Sequence, residues 1–235
     1  MRYIAFATDY DGTLAEGGRV DPAAIEALER LRGSGRRLIL VTGRGLDDLG
    51  RVFPRFDLFE RVVAENGALL FRPDRRESRV LCPPPPPAFL EQLRRRGVPA
   101  EAGSVIVATL SPHDAEVRKA IQDLGLELQL IFNKGSVMVL PSGVDKATGL
   151  QAALEGMGIP AHNVVAIGDG ENDCGMLELA GCGVAVANAV QSLREQADAV
   201  MSGDHGRGVV ELVERLLADD LTSLGADLIH RLRRR

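Results

Sequence analysis

Asp9 and Asp11 stand two residues apart at the end of an apolar run, in the stretch Asp9-Tyr10-Asp11-Gly12-Thr13. On an extended chain alternate residues share a side, so both carboxylates can reach one point in the loop that follows. Gly12 permits a tight turn there, with backbone N–H groups free to meet an anion. Thr42-Gly43-Arg44 follows a second apolar run, residues 38–41. A hydroxyl, a glycine amide and the start of a helix make a grip for phosphate. Lys146, preceded by Asp145 and opening a helical pattern, supplies a point cation for phosphate oxygens. The stretch Gly168-Asp169-Gly170-Glu171-Asn172-Asp173 follows the apolar run 164–167. Its carboxylates suit a hard cation such as Mg2+, which takes oxygen ligands and keeps several waters.

Each cluster has a plainer reading when taken alone. The first could be an acidic turn, and a single lysine is usually a solvated one. The glycine-rich acidic stretch lacks the spaced ligands and terminal glutamate of a calcium loop. What joins the four is their placement. Apolar runs at 3–7, 38–41, 62–64, 164–167 and 184–187 are short and rich in β-branched residues, as strands buried on both faces are. Helical patterns lie between several of them. One starts at Asp21-Pro22, an N-cap with proline in the first turn, and is closed by Gly33 and Gly35. Strand and helix in alternation imply an α/β fold with a parallel sheet, whose ligand sits beyond the carboxyl ends of the strands. All four clusters lie just after such runs.

The middle of the chain differs. Five prolines, Pro83 to Pro87, follow Val80-Leu81-Cys82 and imply a stiff extended spacer. Beyond it the pattern gives a helix near 88–96, a strand near 105–110, a helix over about 113–124, and apolar stretches at 127–132 and 137–140. Asn133-Lys134-Gly135 between the last two has the composition of a hairpin turn. Residues 82–143 therefore form a small α/β insert, and 1–81 with 144–235 form the core.

Composition narrows the function classes. The chain has 235 residues, 45% of them hydrophobic and 26% charged, as in a soluble globular protein. A net charge of −5 and the absence of tryptophan, with only two tyrosines, argue against a nucleic-acid partner. The basic end, Arg231 to Arg235, reads as a solvated helix end. No apolar run reaches the length of a membrane span. The first residues meet carboxylates too early for a signal peptide. Cys82, Cys174 and Cys182 are too scattered for a disulfide framework or a zinc site, and a reducing cytoplasm is the expectation.

The ordered set DYDGT, TGR, Lys146 and GDGEND resembles the haloacid dehalogenase superfamily. An insert between the second and third motifs is similar to the branch of Cof-type sugar phosphatases, sucrose-phosphatase and archaeal phosphoglycolate phosphatase. The resemblance implies a Rossmann-like core with an inserted α/β cap, and a phosphatase acting on a small phosphorylated metabolite. It implies that Asp9 is the nucleophile and Asp11 the general acid and then base. Mg2+ would be held by Asp9, the backbone carbonyl of Asp11 and Asp169. Gly12, Thr42, Gly43 and Lys146 would hold the phosphoryl group, supported by Asn172 and Asp173. Arg44 has two readings, a supporting role or a pair with a surface acid. The cap residues His113, Asn133 and Lys134 are candidates for the leaving group, though His113 also suits a helix cap and the other two a turn. Asn66, in Glu65-Asn66-Gly67 after the run 62–64, faces the substrate or turns the chain. A phosphotransferase or mutase would share every motif, and a phospho-aspartate switch module would share the acidic pair, the threonine and the lysine. The chain is expected to be a monomer or a homodimer, since sheet edges can pair between copies.

Overall fold

The computed structural model describes residues 1–224; the arginine-rich end lies outside them. Along the chain come β1 (Ala5–Asp9), a short hairpin of β2 (Ala15–Glu16) and β3 (Arg19–Val20), and α1 (Pro22–Gly33). Then come β4 (Arg37–Val41), α2 (Leu46–Val52), β5 (Arg61–Ala64), β6 (Leu69–Arg72) and β7 (Glu77–Val80). The insert holds α3 (Pro87–Arg95), β8 (Glu101–Ala102), β9 (Val107–Leu110), α4 (Asp114–Asp123), β10 (Leu128–Asn133) and β11 (Ser136–Pro141). The chain returns through α5 (Lys146–Met157), β12 (Val164–Gly168), α6 (Cys174–Leu179), β13 (Cys182–Ala185), α7 (Gln191–Gln196), β14 (Ala199–Val200) and α8 (His205–Asp219).

The main sheet has the order β14-β13-β12-β1-β4-β5-β6-β7. Pairing is parallel from β14 through β5. Every residue of β1 and β12 is buried, which is why Ala5–Ala7 and all of β12 carry no alternating polar residues; β1 turns polar only at Thr8 and Asp9, where it enters the site. Helix α1 packs on α8, and α5 on α6. Asp21 caps α1, its carboxylate accepting the Ala23 N–H at 2.8 Å, and Gly35 ends it with φ 91°. The register sets Asp9 beside Val41 and Gly168 beside Ala185, so the functional strands finish along one edge. The parallel-sheet core expected from the sequence is present, and β6 and β7 extend it antiparallel at one edge. The turn after β5 reverses the chain, so no crossover helix is needed.

A second sheet, β10-β11-β9-β8, is antiparallel throughout. Period-two alternation in β11 serves two layers. Val139 packs with Phe89 and Leu93 of α3 and Val117 of α4, while Met138 and Leu140 face the main sheet beside Ala68 and Ile106. The spacer expectation needs one correction. Residues 83–86 lie outside helix and strand, but Pro87 is the first residue of α3. Its missing N–H costs nothing at that position, where no helical partner exists. No described helix is long and apolar enough to cross a membrane.

Asp21→Ala should lower the unfolding free energy by about 1 kcal/mol, the usual worth of an N-cap, with Asp21→Ser retaining most of it. Urea denaturation followed by circular dichroism measures both. Equal midpoints for Asp21→Ala and the native chain would remove the cap from this account.

Candidate active site

The loop after β1 alternates as the spacing requires. Tyr10 turns inward, fully buried, with its ring 5.6 Å from that of Phe53 and its hydroxyl donating to the Gly18 carbonyl. Asp9 and Asp11 take the other side and both line one cleft of about 1580 Å³ between the two sheets. Asp9 is 3% exposed. Gly12 has φ 89°, and a Cβ there would fall on the Asp169 carboxylate. Glycine is required at this point by close approach as well as by backbone.

Lys146 crosses the site from the start of α5. Asp145 is the N-cap and forms a reciprocal capping box with Thr148, which fixes the first turn. The Lys146 Nζ is buried and donates to Asp9 Oδ1 at 2.5 Å and Asp173 Oδ1 at 2.6 Å. Asp173 Oδ2 accepts the backbone N–H groups of Asp169 and Gly170, both at 2.9 Å. Asp169 takes the Thr13 hydroxyl on Oδ1 at 3.0 Å and pairs with Lys134 through Oδ2. Among the described residues no hydrogen bond engages the second oxygen of Asp9.

Burial pushes the Asp9 carboxyl well above the ordinary carboxylate range, with Lys146 opposing and Asp173 and Asp169 adding to the rise. For Lys146 burial works against the charge, but Asp173 and Asp9 outweigh it and hold the ammonium protonated. Asp9, Asp169 and Asp173 each offer a carboxylate oxygen within 4.8 Å of the others. Three buried carboxylates, all oxygen donors, fit a hard divalent cation. Both oxygens of Asp173 are engaged by Lys146 and two backbone N–H groups, and both oxygens of Asp169 by Thr13 and Lys134, so of the three only Asp9 keeps an oxygen without a hydrogen bond among the described residues.

Thr42 is buried, and its hydroxyl accepts the Arg44 N–H at 3.1 Å. Gly43 lies where a Cβ would stand 3.3 Å from Met138 Sδ, so the insert comes down directly on the phosphate grip. The side chain of Arg44 turns to Asp11, Nε to Oδ2 at 2.6 Å and Nη2 to Oδ1 at 2.7 Å, and its Nη1 reaches Asp48 at 2.5 Å. Arg44 thus bridges Asp11 and Asp48, which joins the loop after β1 to α2.

The insert residues are distributed unevenly. Lys134 and Gly135 have φ 46° and 87°, a two-residue hairpin turn, and this aims Lys134 at Asp169. Asn133 precedes it, with a buried Oδ1 that has no partner. Asn172 Nδ2 donates to Asn66 Oδ1 at 2.9 Å, and Asn66 is fully buried, away from the cleft. His113 occupies the N-cap position of α4 without a side-chain cap and lines the cleft.

Three residues at the site had no assigned role in the sequence. Glu65 accepts three backbone N–H groups from the insert. Asn188 Nδ2 and His205 Nδ1 both lie 2.8 Å from the Gly12 carbonyl. Asn188 follows β13, so the rule that sites lie beyond strand ends could have found it. Nothing local marks His205.

A family model described as haloacid dehalogenase-like hydrolase matches residues 6–82 and 102–213. A phosphoglycolate phosphatase of Methanothermobacter thermautotrophicus is 35% identical over 226 residues, covering 91% of this chain and 98% of its own. A solved haloacid dehalogenase-like hydrolase from Bacteroides thetaiotaomicron superposes with a TM-score of 0.77 at 21% identity, over 91% of this chain and 99% of that one. A solved subclass IIB sugar phosphatase superposes with a TM-score of 0.73 at 19% identity, over 90% and 98%.

Lys146→Met leaves two buried carboxylates without a cation and should cost about 3–5 kcal/mol at neutral pH. Lys146 opposes the rise of the Asp9 pKa, so without it that pKa goes higher still and the folded variant takes up protons before the folded native chain as the pH falls. The deficit should therefore shrink on acidification. Urea denaturation at pH 7.5 and 5.5 checks this, and a deficit that grows in acid would contradict it.

Proposed function

The chain belongs to the haloacid dehalogenase-like hydrolase family and is a phosphatase, and we propose that it hydrolyses a small phosphorylated metabolite through an aspartyl phosphate on Asp9, with Mg2+ as cofactor. The observation that carries this reading is the state of Asp9: buried, held at one oxygen by Lys146, open at the other, and facing a cleft. Burial disfavours the charged form of Asp9, but Lys146 opposes that and a cation at the site would oppose it further; the ionised carboxylate then needs no base to act as a nucleophile.

In the first step the free oxygen of Asp9 forms a bond to phosphorus, and the bond from phosphorus to the leaving oxygen breaks. Asp11 gives that oxygen its proton, releasing one of its hydrogen bonds to Arg44 as it turns. In the second step Asp11 takes a proton from water, which attacks the acyl phosphate and frees Asp9 and inorganic phosphate. Gly12, the Thr42 hydroxyl, the Gly43 N–H and Lys146 hold the phosphoryl oxygens. Asp9, Asp169 and the Asp11 carbonyl would hold the Mg2+. When bound, the ion neutralises charge where an anionic nucleophile must meet an anionic phosphate. Asp173 and Asn172 support this set from behind.

The leaving group is compact and anionic, of the phosphoglycolate kind. Similarity to phosphoglycolate phosphatases along nearly their whole length supports this. So does Lys134, whose ammonium already reaches the cleft. Were Asp169 to hold the metal, Lys134 would be left to meet a carboxylate on the substrate, with His113 and Asn133 lining the same opening. The neighbouring sugar-phosphatase fold makes sugar phosphates the second class to test.

Phosphate release should be measured on phosphoglycolate and a set of sugar phosphates, with Mg2+ and with EDTA. Turnover should require the metal and vanish in Asp9→Asn. Asp11→Asn should lower kcat about 10²–10⁴-fold. Transfer of the phosphoryl group to a sugar hydroxyl, with no free phosphate, would make the protein a phosphotransferase instead. An acyl phosphate that persists for minutes would make it a switch.

A further inference from the structure

Glu65 stands at the seam between the two sheets. It directly follows β5, has a left-handed backbone with φ 51°, and is 2% exposed. Its Oε1 accepts the Ser104 N–H at 2.7 Å, and its Oε2 accepts the N–H groups of Val105 at 2.7 Å and Ile106 at 2.9 Å. Three successive backbone N–H groups converging on one point make an anion nest, here filled by a carboxylate of the same chain. The nest belongs to the turn that leads into β9, closed by the Gly103 N–H on the Ile106 carbonyl at 2.8 Å. Ile106 and Ala108 then roof the cleft.

The other end of Glu65 is tied to the phosphate grip. Its own N–H donates to the Arg44 carbonyl at 2.9 Å, and the Asn66 N–H donates to the Thr42 carbonyl at 2.9 Å. Gly67 follows so close to Asp145 that a Cβ would stand 2.5 Å from that residue's carbonyl carbon. One short segment therefore touches the grip, the start of the lysine helix and the insert at once. We infer that Glu65 is a positioning residue: its carboxylate clasps the cap at Ser104–Ile106 and sets the roof of the cleft over Asp9 and Asp11.

Charge-assisted bonds of this length are about twice as strong as neutral ones, and they are directional in a way apolar packing is not. A glutamine keeps the shape but not the clasp. One oxygen still accepts, while its NH2 group faces donors that need an acceptor. Gly103 offers an independent handle. It is exposed, and a Cβ there would stand 2.7 Å from Glu65 Oε1 and 2.8 Å from its Cδ, so an alanine must push the carboxylate out of the nest. The kinetic consequence rests on the hydrolase reading, whereas the clasp itself does not.

Glu65→Gln and Gly103→Ala test the inference with two readouts. Hydrogen exchange of the 104–106 amides should speed up at least about tenfold, with the amides of β11 unchanged. A misplacement near 1 Å can cost about 10²-fold in rate. So kcat/KM for phosphoglycolate should fall about 10- to 100-fold, while acetyl phosphate, whose leaving acetate needs neither a proton nor a roof, stays within about threefold. A merely structural role would depress both substrates together. Unchanged exchange at 104–106, or an unchanged ratio of the two substrates, overturns the clasp. If the native protein hydrolyses neither compound, the hydrolase reading fails and the exchange experiment still decides. If Glu65→Gln does not fold, the surface variant Gly103→Ala carries the test alone.

Discussion

A buried ammonium between Asp9 and Asp173, with Asp169 beside them, is the costliest feature of this molecule. Each charge taken out of water carries a penalty of several kcal/mol, offset only by partners at short range and in good geometry. Much of the surrounding architecture follows from that demand. Asp173 collects two backbone N–H groups besides the lysine, and Asp169 collects a threonine hydroxyl and a second lysine. The glycines follow too. A Cβ at Gly168 would stand 2.6 Å from the Asp173 side chain, and one at Gly12 would displace Asp169. Small residues are needed where carboxylates must come this close to backbone.

The sheet solves the same problem at larger scale. Parallel strands in register end together, so loops after β1, β4, β5 and β12 converge without any strand being distorted. The insert then closes the site from the other side, with Met138 over Gly43 and Lys134 at Asp169. Apolar packing joins the insert to the core at Ala68, Ile106, Met138 and Leu140. Glu65 adds a directional bond at the same seam.

Much of this was readable in the sequence, for definite reasons. β1 and β12 announce themselves because a strand covered on both faces carries no alternating polar residues. The Asp21 cap and the hairpin turn at Lys134 are local, needing only neighbouring residues to be recognised. Three of the four clusters could be grouped because each follows a strand of the main sheet; Lys146, expected to do the same, instead opens α5 after β11 of the insert, and its buried ammonium reaches Asp9 from there. The exposed strand β7, Glu77–Val80, has no apolar face and left no signal. Nor could the partners of Glu65, Asn188 and His205 be read, since each bond spans between 17 and 193 residues and depends on register. Arg44 shows the limit well: its type left two readings open, and its partners Asp11 and Asp48 are set by the fold.

The Gly12 carbonyl is held by Asn188 and His205, so the first functional loop is finished by residues near the far end of the chain. β1 likewise has β12 as one of its two neighbours, Ala5 beside Val164. A ribosome delivers the amino end first, at about 5–20 residues per second. Through most of synthesis, Asp9 and Asp11 therefore belong to a half-built sheet whose lysine, metal-side carboxylate and loop support have not yet been made. The Gly12 carbonyl gains both partners only once the start of α8 has been made, so the loop that carries Asp9 and Asp11 is among the last parts of the molecule to be completed.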